Sequence, residues 1–256
     1  SFLYRLKNPL TEVNIGLVGK YVELKDAYKS ISEAFIHAGA ATQCKVKIKW
    51  IHSEKLEDNP DCIQEELQGL NGILVAPGFG SRGIEGKIMA VRYARENKIP
   101  FLGICLGMQC AVIEFARNVL GYKDAHSVEM SASTTHPVID MMEEQKLIQN
   151  MGGTMRLGAY PCKLKENTKI YSAYQKENIS ERHRHRYEFN NAYLEAFEQA
   201  GMIASGINPD TNLVEVVEIP SHPYFVGVQY HPEYRSTVVE PSPLFISFVK
   251  AASRKE

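Results

Sequence analysis

Short apolar segments alternate with amphipathic ones over the first half of the chain. Nearly continuous apolar runs predict strands buried on both faces, at residues 13–19, 72–76 and 101–105. Alternating apolar residues and lysines predict another strand, with one polar face, at residues 44–51. Apolar residues at helical spacing predict helices at residues 25–37, 85–97 and 106–120. Gly39 and Gly121 are the expected ends of the first and the last of these helices.

The pattern changes after Gly121, where short strand-like pieces and turns replace the regular alternation. The later predicted strands are residues 214–219 and 225–230, and the later predicted helices are residues 192–199 and 244–252. Strands that alternate with helices imply right-handed crossovers and a mostly parallel sheet with helices on both faces. We therefore predict one open α/β domain from residue 13 to residue 256, with residues 1–12 as a tail or linker.

The composition of the 256-residue chain is that of an ordinary globular protein, with 44% hydrophobic and 23% charged residues. A formal net charge of −1 disfavours a nucleic-acid binder, and no apolar run approaches the roughly 20 residues that span a bilayer. The first residues form no signal peptide. The five cysteines are odd in number and contain no CxxC pair. We therefore expect reduced thiols in a cytoplasmic protein, without a disulfide framework or structural zinc.

The sharpest local signal is the segment GICLG at residues 103–107, where a predicted buried strand meets a predicted helix. A nucleophile elbow has this arrangement, here with Cys105 in the place of serine. Small flanking residues allow the tight turn, the helix N-terminus favours the thiolate, and the N–H of Leu106 can face an oxyanion. The alternative interpretation is a buried cysteine with incidental glycines.

A thiolate nucleophile needs a base, and the base needs a partner that orients it. His231 follows the predicted strand 225–230 and precedes Glu233 by two residues, in the segment His-Pro-Glu. If that strand runs parallel to strand 101–105, His231 and Cys105 emerge at the same edge of the sheet. Glu233 can then accept a hydrogen bond from the imidazole and select one tautomer. The alternative for His-Pro-Glu alone is an ordinary turn.

The loop Pro77-Gly78-Phe79-Gly80 also follows a predicted buried strand. The N–H of Gly78 is a candidate second oxyanion donor, and glycine lets the backbone approach a substrate closely. An ordinary strand-to-loop turn is the alternative interpretation.

A dense basic run, ERHRHRYE, occupies residues 181–188. Alternation along a strand would put His183 and His185 on one face and the arginines on the other. Two histidines without a third ligand are weak support for a metal site, and one short patch in a neutral protein is weak support for nucleic-acid binding. We favour anion recognition, with an arginine that grips a carboxylate beside the cleft.

Together these segments resemble a known family. GICLGMQ at residues 103–109 and YHPE at residues 230–233 resemble the class I, or triad, glutamine amidotransferases. Four further segments resemble the glutaminase domains of the CTP synthases within that class: GFGSRGIEGK, MGGTMRLG, ERHRHRYEFN and FVGVQYHPE, which begin at residues 78, 151, 181 and 225. The resemblance extends from about residue 13 to residue 252 and implies the flavodoxin-like sheet of that class.

The resemblance implies hydrolysis of L-glutamine to glutamate and ammonia. Cys105 would attack the side-chain amide and form a glutamyl thioester, His231 would relay protons, and Glu233 would orient His231. Backbone N–H groups of Gly78 and Leu106 would form the oxyanion hole. The residues that the family pattern assigns to glutamine are Gly78, Leu106, Gln109, Glu129 and Arg186.

Two of these contacts pair opposite charges: Glu129 with the ammonium group of glutamine, and Arg186 with its carboxylate. The resemblance also implies an N-terminal synthase domain, absent from this chain, that would use ammonia, ATP and Mg²⁺ to convert UTP to CTP. GTP would activate glutamine hydrolysis, with Arg82 and Arg156 as candidates for that effect. The full-length protein is expected to be a homotetramer. No cofactor, metal, nucleic acid or membrane is expected for this domain.

One position departs from the family pattern, because Pro77 stands where a glycine is usual. Proline has no N–H and cannot donate to the oxyanion, but Gly78 still can, so we expect activity to survive. Two alternatives are a glutaminase of another pathway or γ-glutamyl hydrolase, and a non-catalytic module of the same fold. A redox pair of Cys105 and Cys110 is disfavoured, since a cysteine five residues along a helix points away.

Overall fold

The computed structural model of this chain describes residues 1–20, 23, 25–141 and 155–254. Among these residues, nine strands form one large sheet and three short strands form a second. The nine are β1 (Thr11–Gly19), β2 (Cys44–His52), β3 (Gly72–Val75), β4 (Phe101–Ile104), β7 (Arg156–Leu164), β8 (Asn178–His185), β10 (Ile203–Ile207), β11 (Val214–Glu218) and β12 (Phe225–Val228). The three are β5 (His126–Ser127), β6 (Pro137–Asp140) and β9 (Glu188–Phe189).

The large sheet has the strand order β2-β1-β3-β4-β12-β11-β10-β7-β8. The first five strands in this order are parallel to one another. Each of the remaining four runs antiparallel to its neighbours. The parallel part has the 2-1-3-4 order of flavodoxin-like sheets. The predicted open α/β sheet is therefore confirmed, and an antiparallel edge extends it.

Helices cover both faces of the sheet. Those in the described part of the chain are α1 (Phe2–Lys7), α2 (Lys29–Thr42), α3 (Ser53–Asp58), α4 (Ile63–Leu67), α5 (Ile84–Glu96), α6 (Leu106–Asn118), α7 (Lys169–Tyr174), α8 (Leu194–Ala200) and α9 (Pro243–Ala252). One apolar cluster joins α5 and α6 to the sheet, and a second joins α2 and α9 to it. Ile73 and Val75 of β3 belong to the first cluster and Leu74 to the second, because successive strand residues face opposite sides. No described helix is both long and apolar enough to cross a bilayer.

The N-terminal residues are more regular than the sequence predicts. Residues 2–7, expected in a tail or linker, form α1, and β1 begins at Thr11 rather than at residue 13. No residue of α1 is buried, so its sequence carries no core-facing apolar pattern that would reveal it. The placement of the domain boundary at residue 13 stays a prediction.

The predicted end of the first long helix at Gly39 is wrong. α2 continues to Thr42 and ends at Gln43, which takes the left-handed conformation with φ 51°. Gly39 serves close packing inside the helix instead, since a Cβ there would lie 2.7 Å from the backbone oxygen of Cys44 on β2. The sequence pattern predicts neither α3 nor α4, which have six and five residues and are too short for a clear periodicity.

Candidate active site

Cys105 lies between β4 and α6, with its backbone at φ 54° and ψ −104°. A residue other than glycine rarely adopts this strained region. Two neighbouring glycines permit the turn. A Cβ on Gly103 would lie 2.7 Å from the backbone of Gly107, and a Cβ on Gly107 would overlap the carbonyl oxygen of Val75. The predicted elbow geometry is therefore present in the structure.

The strand pairing brings His231 to the same edge of the sheet as Cys105. β12 runs parallel to β4, with Val228 opposite Ile104, and the N–H of Cys105 donates to the carbonyl oxygen of Val228 at 2.8 Å. Both strands end at this edge, as the sequence analysis required. The N–H of His231 donates to the carbonyl oxygen of Arg182 on β8 at 2.8 Å, which ties this loop to the antiparallel edge.

His231 and Glu233 form a buried pair, with 2.7 Å between the imidazole Nδ1 and the carboxylate Oε1. The ring of Tyr234 stacks on the imidazole, with 4.7 Å between ring centres. Burial lowers the pKa of His231, but Cys105 and Glu233 outweigh burial and raise this pKa to about 10. The Cys105 side chain raises this pKa first by hydrogen bonding to the imidazole and then by its charge. Since Nδ1 of His231 faces Glu233, Nε2 is the ring nitrogen left to face Cys105.

A cavity of about 290 Å³ opens beside Cys105. Its wall brings together every residue that the family pattern assigns to glutamine, from separate parts of the chain: Gly78, Leu106, Gln109, Glu129 and Arg186. Besides Cys105, four further residues line the wall and are not among the predicted glutamine contacts: Phe79, Met155, His185 and Tyr187. Tyr187 was detectable in principle, because it directly follows Arg186.

Opposite charges lie on the rim of this cavity. Glu129 and Arg186 are both exposed there. Partial burial raises the pKa of Glu129, and the charge of Arg186 opposes this increase. A carboxylate and a guanidinium on one rim match the ammonium and carboxylate groups of a free amino acid.

Lys87 is a buried titratable side chain that the sequence does not reveal. It projects from α5 and is 1% exposed, with its ammonium group donating to the carbonyl oxygen of Ala76 at 3.2 Å. A Cβ on Gly78 would lie 3.3 Å from the Lys87 Nζ, so the side chain packs directly against the Gly78 loop. Burial lowers the pKa of Lys87. The only sequence signal for this residue is its place in the segment GFGSRGIEGK.

The two arginines proposed for the GTP effect lie in different surroundings. Arg82 is exposed, and its guanidinium pairs with Glu54 at 2.8 Å. Arg156 is buried, with 3.2 Å to Glu188 and 2.6 Å to Glu215. Arg156 therefore balances interior carboxylates in this structure, and its assignment to GTP stays a prediction. Residues 151–154 of the segment MGGTMRLG lie outside the described residues.

The two histidines of β8 face the interior, and the neighbouring arginines are exposed, as the alternation predicts. Nδ1 of His183 lies 2.7 Å from Nε2 of His185 and 3.7 Å from Glu215. Glu215 is the third potential metal ligand that the sequence analysis lacked. Arg156 already pairs with this carboxylate, however, and a guanidinium thus supplies the positive charge that a cation would bring.

All five cysteines are free and buried. Burial raises the pKa of Cys110 to about 12. A thiol that stays protonated at neutral pH is a poor redox partner, which disfavours a switch between Cys110 and Cys105.

Comparison with known proteins agrees with this geometry. The family model for class-I glutamine amidotransferases matches residues 23–251. A CTP synthase of Cytophaga hutchinsonii is 66% identical over 252 residues, which are 98% of this chain and 46% of that protein. A CTP synthase of Flavobacterium psychrophilum is 65% identical over 252 residues, which are 98% of this chain and 47% of that protein. The chain thus spans about half the length of the curated relatives that it matches.

A solved structure has nearly the same fold. The glutaminase domain of Trypanosoma brucei CTPS, with bound acivicin, superposes with a TM-score of 0.90 at 41% identity, and the match covers 95% of each chain. The chain therefore belongs to the class-I glutamine amidotransferase family and, within it, to the glutaminase domains of the CTP synthases.

Proposed function

We propose that this chain hydrolyses the side-chain amide of L-glutamine to glutamate and ammonia, with Cys105 as the nucleophile. The observation that carries the proposal is that Cys105, which lines the cavity, also lies next to the buried His231–Glu233 pair. Family membership supports the class of reaction, and the related glutaminase domain from T. brucei has acivicin bound.

In the first half-reaction, the thiolate sulfur of Cys105 attacks the amide carbon, and the carbonyl oxygen becomes an oxyanion. The backbone N–H groups of Leu106 and Gly78 stabilise this oxyanion. The imidazolium of His231, which Glu233 keeps charged, passes its Nε2 proton to the leaving nitrogen. Ammonia departs as the C–N bond breaks, and a glutamyl thioester on Cys105 remains.

Water completes the second half-reaction. Neutral His231 removes a proton from water, and the water oxygen attacks the thioester carbon. The C–S bond then breaks, Cys105 returns to the thiolate and His231 remains the imidazolium. The new side-chain carboxyl group releases the second water proton to solvent, and glutamate leaves. Glu233 stays ionised throughout, since its role is to orient and charge the imidazole.

Recognition of glutamine depends on charge at the rim of the cavity. Arg186 pairs with the α-carboxylate of the substrate, and Glu129 pairs with its α-ammonium group. A bound ammonium group favours the ionised form of Glu129 and so reverses the effect of partial burial on its pKa. Gln109 contacts the substrate from the first turn of α6.

We also propose that the ammonia is used within a longer protein. The relatives named CTP synthase are about twice as long as the region matched here. Their remaining half would correspond to the N-terminal synthase domain, which converts UTP to CTP with ATP and Mg²⁺. GTP would activate hydrolysis, with Arg82 as the exposed candidate and Arg156 as the buried one. The whole protein would be a cytoplasmic homotetramer.

The test is glutamate release from L-glutamine by the chain, by Cys105→Ala, and by Cys62→Ala as a matched control. Loss of a nucleophile costs several orders of magnitude, so Cys105→Ala should lower the rate at least about 10³-fold. Cys62→Ala should leave the rate unchanged, because Cys62 lies among apolar residues away from the cavity. Mass spectrometry after treatment with a glutamine-like electrophile should find a single adduct, on Cys105. Glutamate release that survives Cys105→Ala contradicts the proposal.

A further inference from the structure

Gln229 occupies a buried position directly behind the nucleophile. It lies just after β12, two residues before His231, and its side chain is fully buried. Its backbone N–H donates to the carbonyl oxygen of Glu215 at 2.8 Å, and this hydrogen bond holds Gln229 next to β11. The side-chain Nε2 lies 3.6 Å from Sγ of Cys105, within hydrogen-bond range for the large sulfur atom.

The orientation of the Gln229 amide follows from its other neighbour. Nε2 of Gln109 donates to the carbonyl oxygen of Tyr187 at 3.1 Å, and a carbonyl can only accept. The same Nε2 lies 3.2 Å from the Gln229 amide, which must therefore present its Oε1 on that side. The remaining atom, Nε2 of Gln229, is then the one that faces the sulfur of Cys105. The three side chains form a hydrogen-bonded series that runs from the glutamine cavity to the nucleophile.

We propose that the side-chain amide of Gln229 donates a hydrogen bond to the Cys105 thiolate and thereby stabilises the nucleophile of the proposed glutaminase. This inference rests on the proposed function for its catalytic consequence, but not for the hydrogen bond itself. Hydrogen bonds from neutral donors to ionised acceptors are among the stronger ones in proteins. The sulfur also lies 3.9 Å from the carbonyl oxygen of Arg184, which accepts from the thiol and cannot stabilise the thiolate.

Gln229 acts beside titratable groups from its own loop and from α5. His231, whose pKa is raised to about 10, lies in the loop after β12 with its Nδ1 bonded to Glu233, and the buried side chain of Lys87, whose pKa burial lowers, projects from α5. The ring of Tyr234 stacks on the imidazole of His231. Gln229 differs from all of these because it contributes a neutral donor that does not titrate. Its effect is therefore separable from theirs by a substitution that leaves every charge in place.

The test measures the pH dependence of Cys105 alkylation by iodoacetamide, with mass spectrometry to locate the adduct. Gln229→Met keeps the length and burial of the side chain and removes the donor. The apparent pKa of Cys105 should rise by about one to two units, and kcat/KM for glutamine at neutral pH should fall roughly 10-fold or more. Gln229→Glu should raise the apparent pKa further, because a carboxylate then faces the thiolate.

The control is Gln199→Met, the same substitution on the exposed face of α8. It should change neither the alkylation profile nor the glutaminase rate. Circular dichroism melting checks that each variant is folded, and Gln229→Glu provides the test if Gln229→Met does not fold. An unchanged apparent pKa in the folded Gln229 variants overturns the inference. Absence of Cys105-dependent glutamate release from the parent chain would instead defeat the proposed function, while the alkylation profile would still test the hydrogen bond.

Discussion

Cys105 keeps a positive φ of 54° although a side chain is unfavourable there. Backbone strain of this kind costs on the order of 1–3 kcal/mol and persists where surrounding contacts fix it. Two backbone hydrogen bonds do so here: Cys105 N–H to Val228 O at 2.8 Å, and Gln109 N–H to Cys105 O at 3.2 Å. The sulfur is therefore held at the cavity before any substrate binds.

At this scale the Glu233 carboxylate has a testable effect on His231. In Glu233→Gln, the amide can still bond Nδ1, but the negative charge that favours the imidazolium is lost. The His231 pKa, about 10 in the parent, should fall, so the imidazolium loses its proton at lower pH. We expect glutaminase kcat to fall roughly 10²-fold and the alkaline limb of the pH–rate profile to move to lower pH.

The control for this prediction is Glu240→Gln, which removes an exposed carboxylate from the loop that precedes α9. Its pH–rate profile should match that of the parent. A Glu233→Gln profile that also matches the parent would place the group that orients His231 elsewhere.

Among the elements, α6 depends most on close approach to its neighbours. Its first turn follows Cys105 directly and lies against the end of β3, where Gly107 leaves no room for a side chain. The adjacent strands β3 and β4 are parallel and four residues long, so a small shift of the helix moves the elbow relative to both. The glycines thus determine the packing of the helix that begins directly after Cys105.

Gly107→Ala tests this role. The added methyl group overlaps the carbonyl oxygen of Val75, so α6 must move away from β3. We expect the free energy of unfolding to fall by about 1–3 kcal/mol, as for overpacked cores, and Cys105 alkylation to slow. Urea unfolding and the iodoacetamide rate measure the two effects.

Gly121→Ala is the matched control, because a Cβ at Gly121 meets nothing within 4 Å and the residue lies beyond the end of α6. Because Gly121 has a φ of +77°, alanine there carries only a backbone cost. The rate of Cys105 alkylation in Gly121→Ala should therefore match that of the parent. Equal alkylation rates in Gly107→Ala and the parent would contradict the steric argument.

Over the whole molecule, the two halves of the sheet supply different parts of the candidate site. The parallel strands deliver Cys105 and His231, whereas the loop after the antiparallel edge strand β8 delivers Arg186. The antiparallel half also buries several carboxyl groups. Glu181 is 6% exposed and accepts from the Tyr174 hydroxyl at 2.9 Å. Burial, with a smaller effect of the Glu233 charge, raises the pKa of Glu181 to about 7.

This buried carboxyl should make stability depend on pH. Between about pH 4.5 and pH 7 the unfolded chain loses the Glu181 proton while the folded chain keeps it, so the free energy of unfolding falls as pH rises. In the parent, the free energy of unfolding should fall between about pH 5 and pH 8. In Glu181→Gln this fall should be smaller by roughly 1–3 kcal/mol. Urea unfolding at the two pH values measures this difference.

Comparison with Glu166→Gln isolates the effect of Glu181, because Glu166 is exposed and its loss should leave the pH dependence unchanged. Glu188 and Glu215 also have raised pKa values from burial, but they titrate in both variants and cancel in the comparison. If the free energy of unfolding changes with pH in the same way in Glu181→Gln and in the parent, the buried Glu181 carboxyl is not the cause of the change.

The sequence by itself determined the parallel half of the fold, because apolar runs and helical spacing are local patterns that neighbouring residues carry. It also predicted Cys105, His231 and Glu233 as the catalytic residues, since an elbow and a His-Pro-Glu segment at strand ends are short motifs. It did not reveal β7 and β8 as a pair, because the inward face of β8 is polar and escapes the hydropathy pattern.

Only the tertiary structure decided which distant polar groups meet. It placed Glu215 beside His183 of β8, Arg156 between two buried carboxylates, and Gln229 against the sulfur of Cys105. These contacts join residues 32 to 124 positions apart, and no local spacing relates them. The physical reason is that a buried polar group is stabilised by whichever partner the packed strands bring within hydrogen-bond distance, and strand order is a property of the whole sheet.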